Sequence, residues 1–173
     1  MPQNCTALEE IVIGCTRNTG GISDILVGDM EDVVSVVEDD ATWTLTTFTV
    51  STAPVSINVK RRHSDVTEEE TQDLDNGSAK VVRNINATLP RREADKSRSL
   101  KIMGDGQRYL YVLALDLNGN WTYYPYVQLL TNGGGSGRQR EDGSRYEVVF
   151  YGEDDRLAKE IPAALVEAAQ AVS

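Results

Sequence analysis

The stretch Arg108–Leu117, Asn118-Gly119, Asn120–Leu130 constrains the fold more than any other part of the chain. Two β-rich runs flank an Asn-Gly pair. That is the strongest short-range hairpin signal, because a tight hairpin turn takes positive φ at both central residues. In the first run, Tyr109, Tyr111, Leu113 and Leu115 share one face, and Leu110, Val112 and Ala114 share the other. A strand apolar on both faces has to be covered on both, which predicts a central position in a layered sheet.

Period-2 patterns dominate elsewhere. Leu8–Cys15, Ile22–Val27, Asp32–Val37, Thr42–Val50, Val81–Leu89 and Arg145–Tyr151 read as strands, rich in Val, Ile, Thr and aromatic residues. Arg83 is the exception on the apolar face of its strand. Pro90 precedes a charged helix candidate at 91–103, whose thin apolar stripe is Ala94, Leu100 and Met103. Thr131–Gly143, with its glycine run at 133–137, reads as a loop. Pro162 opens an Ala-rich tail with Leu165, Ala168, Ala169 and Val172 at helical spacing.

Between Ser51 and Lys80 lies a polar region with a short β-prone piece (Val55, Ile57, Val59), a basic cluster (Lys60, Arg61, Arg62) and an acidic run. Loops longer than about 12–15 residues in compact domains usually serve a function. This one reads as an extended hairpin. The predicted class is therefore mainly β: a β-sandwich or half-barrel of antiparallel strands with one packed helix, a long extended loop at about 51–80 and a short C-terminal helix. One domain, 1–173, accounts for the 173 residues, with 162–173 as a helical extension.

The formal net charge of −10 argues against a protein that grips phosphates. No apolar run approaches the roughly 20 residues of a membrane helix, so no membrane anchoring is expected. The first residues lack the basic-then-apolar order of a secretory signal, and a cytosolic origin is expected. Cys5 and Cys15 show no metal spacing. Two reduced thiols is the reading there, with a disulfide after release from a cell as the alternative.

No catalytic constellation emerges, and no cofactor or metal is expected. The lone histidine stands in His63-Ser64-Asp65, but triads are assembled by a fold and not from sequence neighbours in a charged loop. The glycine run lacks the Lys-Ser/Thr of a phosphate loop. Asp116–Asn120 resembles a calcium loop faintly, but its twelfth position is Val127, where a bidentate acid is required. The acids are more informative. Asp24, Asp29, Glu31, Asp32, Glu38, Asp39 and Asp40 occur with no Lys or Arg between them. A second cluster is Asp65, Glu68, Glu69, Glu70, Asp73 and Asp75, while basic residues gather at 60–62 and 91–101. Solvated surface charge explains such segregation, and so does a subunit whose basic patches meet a neighbour's acids.

In order and type, these elements resemble the major tail tube proteins of tailed bacteriophages, particularly a variety seen in phages of the Bacteroidota. The resemblance begins with Cys5, a short strand, Cys15, Asn18-Thr19-Gly20-Gly21-Ile22 and a hydrophobic strand ending in Asp29-Met30-Glu31-Asp32-Val33. It continues through the long loop, the helix and Asp116-Leu117-Asn118-Gly119, and closes on Tyr146-Glu147-Val148-Val149-Phe150-Tyr151-Gly152. It spans most of the chain, without one diagnostic short motif.

The resemblance implies a subunit that joins six to a ring, the inner strands closing one barrel, with rings stacked into a hollow tube. The long loop would reach the adjacent ring and the helix would pack outside the sheet. The implied partners are the chain itself, other tail proteins, and DNA passing non-specifically through the lumen. The implied location is the virion tail, assembled in the host cytoplasm. Six copies at −10 carry roughly −60 per ring, which keeps DNA from adhering to the wall. Asp29, Glu31, Asp32, Glu38, Asp39 and Asp40 are expected to face that lumen, with the 65–75 cluster as the other candidate. Trp43, Arg61 and Arg62 are expected at subunit contacts, with core packing the competing role for Trp43. Another virion part (capsid decoration, head–tail connector or tail terminator) would share this composition.

Overall fold

The computed structural model describes residues 10–60 and 62–173. Cys5, Arg61 and the first residues of the Leu8–Cys15 strand expectation lie outside them. The chain is mainly β, and the described residues form a sheet of ten strands and two α-helices. In order these are β1 (Ile22–Asp29), β2 (Val33–Asp39), β3 (Thr44–Val50), β4 (Val55–Ile57), β5 (Asp65–Asp73) and β6 (Ser78–Pro90). Then follow α1 (Ala94–Gly104), β7 (Leu110–Asp116), β8 (Trp121–Gly135), β9 (Arg145–Asp154), β10 (Lys159–Ile161) and α2 (Ala163–Gln170).

One path runs β2-β3-β10-β8-β7-β1-β4, and a second branch runs β8-β9-β6-β5. Strand β8 belongs to both. Its first part pairs with β7 and β10, and its second part, from Val127, pairs with β9. The change of partner falls at Pro125-Tyr126, where Tyr126 takes φ 52°. Proline has no N–H to give a ladder, so a bend there costs little pairing.

Strand β7 is central, as its two apolar faces require, and the two faces feed two cores. Leu110, Val112 and Ala114 join Ile25 and Val27 of β1, Ile85 and Leu89 of β6, Phe150 of β9 and Leu100 of α1. Tyr111 and Leu113 join Leu26, Phe48, Tyr123 and, from α2, Val166 and Ala169. The first core fills the sandwich between the two branches. The second is closed by α2: Leu165, Ala169 and Val172 pack on it as the helical spacing predicts, Val166 joins them fully buried, and Ala168 is exposed.

Several sequence expectations are corrected. Residues 10–15 form no strand, and Ile11, Val12 and Ile13 lie 96, 74 and 94% exposed. The pattern is β-like, but among the described residues no strand pairs with it. In the β7–β8 turn only Gly119 takes positive φ. The Asp116 carboxylate accepts from the amides of Asn118 (3.0 Å) and Asn120 (2.8 Å), and the Asp116 carbonyl accepts from Gly119 N–H. Those bonds favour a type I turn ending on a left-handed glycine over the two-residue form. Gly133–Gly135 are the end of β8 and not a loop. A Cβ on Gly134 would collide with the Arg145 carbonyl, so glycine is what lets β8 and β9 approach there. On α1, Ala94 is exposed and Leu100 is the one buried residue. The helix is secured further by Tyr146 of β9, whose hydroxyl meets Ser97 Oγ and donates to the Glu93 carbonyl. Strand β10, too short for a periodic signal, was not anticipated.

The polar stretch 51–80 resolves into β4, an irregular link and the first strand of a long hairpin. Strands β5 and β6 pair from Asp65↔Asn86 to Asp73↔Ser78. Strand β9 accompanies β6 only as far as Val81↔Asp154, so the end of the hairpin is a two-stranded ribbon beyond the sheet.

Candidate functional site

The sheet of β5, β6, β9 and the second part of β8 has one buried and one open face. Alternation places Val81, Arg83, Ile85, Ala87 and Leu89 of β6 inward, all buried. The same alternation sends Asp65, Thr67, Glu69, Thr71 and Asp73 of β5 outward, beside Asn84, Asn86 and Thr88 of β6. Strand β9 adds Glu147, Tyr151 and Glu153 to that face. Its cations are Lys80, paired with Glu153 at 2.9 Å, and Arg145, paired with Glu147 at 3.0 Å. Asp65, Glu69 and Asp73 have no cationic partner among the described residues. The face also carries the half-buried Val82 and Val149; its other side chains are mainly hydroxyls, amides and acids, and its charge is negative. It ends on β5, which among the described residues pairs with β6 alone.

The acids at 24–40 are placed differently. Asp29 pairs with Arg108 at 3.1 Å and accepts the Glu31 amide. Asp32 accepts from the Ser51 hydroxyl at 3.3 Å. Asp39 shapes the β2–β3 turn by accepting from Ala41 N–H and the Thr42 hydroxyl, bonds that hold its carboxyl below the usual value. Glu38 meets Lys159 Nζ at 2.9 Å, and Asp40 bonds both Lys159 and Arg156. Of the expected lumen-facing set, only Glu31 has no side-chain partner among the described residues.

Lys159 is 4% exposed and lies 4.7 Å from the centre of the Trp43 ring. Burial pushes its ammonium pKa down; the bonds to Asp40 and Glu38 push it up harder, and the net direction is upward. The same bond from Lys159 holds Asp40 low. Trp43 takes φ 56° and donates its indole N–H to the Ala158 carbonyl at 3.2 Å. It therefore roofs the lysine and belongs to neither core, and it is 38% exposed.

The segment 154–159 is a hub that sequence reading passed over. Arg83, fully buried, donates to Asp154 at 3.2 Å and to the Arg156 carbonyl at 3.0 Å, and Ala158 N–H donates to Glu68. The signal available was Arg83 itself, a cation on an apolar strand face, which predicts a buried partner elsewhere in the chain.

The candidate chemical motifs do not converge. Ser64 is buried and receives the Thr88 amide, Asp65 bonds Asn86, and His63 is exposed. Arg62 is exposed with φ 67°. After the glycine run, the amides of Arg138 and Gln139 both donate to Asp142 at 2.9 Å. These bonds hold the Asp142 carboxyl below the usual value and occupy the donors an anion would need. Among the described residues no group of three His, Cys, Asp or Glu is placed to hold a metal ion. No helix there is long and apolar enough to cross a membrane.

No protein-family model matches the chain, and no curated protein matches it in sequence.

Proposed function

We propose that this chain is a structural subunit that self-assembles into hexameric rings, stacked as a phage tail tube through which DNA is ejected. The observation that carries the reading is the open face of β5-β6-β9-β8. It is a continuous antiparallel sheet, apolar beneath and largely polar and acidic above, that stops on a long edge unpaired among the described residues. Closing such sheets from several copies into a barrel removes the edges, which otherwise invite uncontrolled pairing. Carboxylates, amides and hydroxyls suit a wall along which DNA slides without adhering, and screening over about 8–10 Å confines the repulsion to a layer at the surface. The resemblance in element order supports the same reading, and no catalytic role is part of it.

In this proposal the lumen acids are Asp65, Glu69, Asp73, Glu147 and Glu153, in place of the 24–40 set. Those of the latter that carry cations are consumed within the subunit. Negative-stain imaging of the purified protein is the direct test: rings or tubes are expected, and a tube map with a neutral or basic lumen overturns the assignment of the wall. One observation favours another virion part. The acids along β5 oppose edge pairing between copies at low salt. A strictly monomeric protein at high ionic strength, bound to capsids, would establish that alternative.

A further inference from the structure

Ile11, Val12 and Ile13 are the one run of three consecutive exposed large apolar side chains among the described residues. Single apolar residues on a surface are ordinary, but a contiguous apolar patch marks an interaction site. All three are β-branched, which suits a pleated surface packed against neighbours. A strand made of them is apolar on both faces and needs a strand edge to pair with and walls to cover it.

The fold offers such a place. Between β4 and α1 lies a cleft of about 520 Å³ whose walls include Val55, Ile57, Leu89, Leu100, Ile102 and Met103. One side of it is the outer edge of β4, which among the described residues pairs with β1 alone. Strand β4 has three residues, the length of the exposed run. The acids of the lining do not oppose an uncharged segment. Asp29 is paired with Arg108 at 3.1 Å, Asp32 accepts from Ser51, and Asp95 is offset by its neighbour Lys96. Glu10 and Arg17 flank the run with one charge of each sign.

We infer that this cleft is filled by residues 11–13 of a second copy of the chain, added as a strand to the outer edge of β4. Backbone pairing with β4 fixes the run, and the apolar walls supply affinity by removing its side chains from water. The chain's own run is tethered too far away. Thr19 N–H donates to the Asn118 side chain, which donates to Asn18, at the turn beyond the Ile22↔Asp116 end of β1. Val55 lies level with Val27, towards the other end. That gap is about 17 Å along β1 and about 10 Å across it, whereas Ile13 to Asn18 spans at most about 18 Å. Run and cleft are different patches, so each copy gives one run and receives another. The inference rests on the self-association proposed above and names a contact apart from the open face and the long hairpin.

The test uses the full chain with Cys5 and Cys15 replaced by Ser. One preparation carries Val12→Cys and a second Ser56→Cys; the two are mixed and treated with a short bis-maleimide. Crosslinked dimer is expected, and little of it when Val34→Cys, on the open edge of β2, replaces Ser56→Cys. No dimer, or as much dimer with either partner, overturns the inference. So does a crosslink confined within one chain when Val12→Cys and Ser56→Cys are combined, since the run would then be the chain's own strand. By light scattering, Ile11→Asp/Ile13→Asp is expected to weaken self-association about tenfold or more, with the urea midpoint of the monomer unchanged. Assembly indifferent to that variant overturns the contact while leaving the tube reading intact. Oligomers that need the run but never form rings or tubes uphold the contact and overturn the tube. A wild-type protein that stays monomeric at every concentration overturns both.

Discussion

Two acidic regions look alike in the sequence and are built for opposite ends. The acids of 24–40 sit on β1, β2 and the turns that flank them, and most are engaged: three cations, Arg108, Arg156 and Lys159, reach Asp29, Glu38 and Asp40. Those of β5 lie on an edge strand, where Asp65, Glu69 and Asp73 keep their charge unopposed by any cation among the described residues. Charge counted along a sequence is thus not the field a surface presents. What decides is whether the fold returns a cation to each carboxylate, and here the cations come from more than 70 residues away and more than 110 residues away.

That contrast can be broken or sharpened by substitution. The largest effect is expected from Lys159→Ala, which leaves Glu38 and Asp40 with the half-exposed Arg156 as their only cation among the described residues. A buried pair broken on one side costs about 3–5 kcal/mol. Here the carboxylates are 36 and 68% exposed, so about 2 kcal/mol is expected in urea unfolding.

Acid should undo the same clasp. Asp40 is held below its ordinary 3.8, so its contribution is complete above that value and is lost as pH falls through the lower folded one. Lys159 is held above 10.5, so its share is complete below that value and is lost only as pH rises through the higher folded one. Unfolding midpoints measured from pH 7 down to 2.5 should fall in the wild type and fall less in Lys159→Ala. Equal slopes would mean that the clasp contributes nothing.

Arg156→Ala should cost less, about 0.5–1 kcal/mol, because its guanidinium is half exposed and its carbonyl, which Arg83 uses, remains. The smallest effect is expected on the open face. Asp65→Asn with Glu69→Gln should move stability by less than about 0.5 kcal/mol, while shifting the salt dependence of assembly. A loss as large as that of Lys159→Ala would show that the β5 acids hold the fold and do not serve a shared wall.

Much of the fold was legible locally. Strand β7 announced its central place by being apolar on both faces, and Leu110/Val112/Ala114 and Tyr111/Leu113 do divide between two cores. Alternation in Val81–Leu89 marked the buried face of β6, including the odd Arg83. The segment 10–15 failed for the converse reason. Its pattern is that of a strand, but a strand exists only with a neighbour, and among the described residues none pairs with it. The glycines at 133–135 misled because their permissiveness suggests a loop, whereas Gly134 is needed for the close approach of two paired strands.

Local periodicity therefore determined the strands, the hairpin and the helix on the outside, since side-chain alternation and turn chemistry act over a few residues. The tertiary structure alone decided which acids are spent. Only it brings Lys159 under Trp43, sets Arg83 against the carbonyl of Arg156, and leaves the outer edge of β5 without a partner among the described residues. Ion pairing and edge exposure depend on distances between residues far apart in the chain, and those distances are fixed only once the sheets have packed.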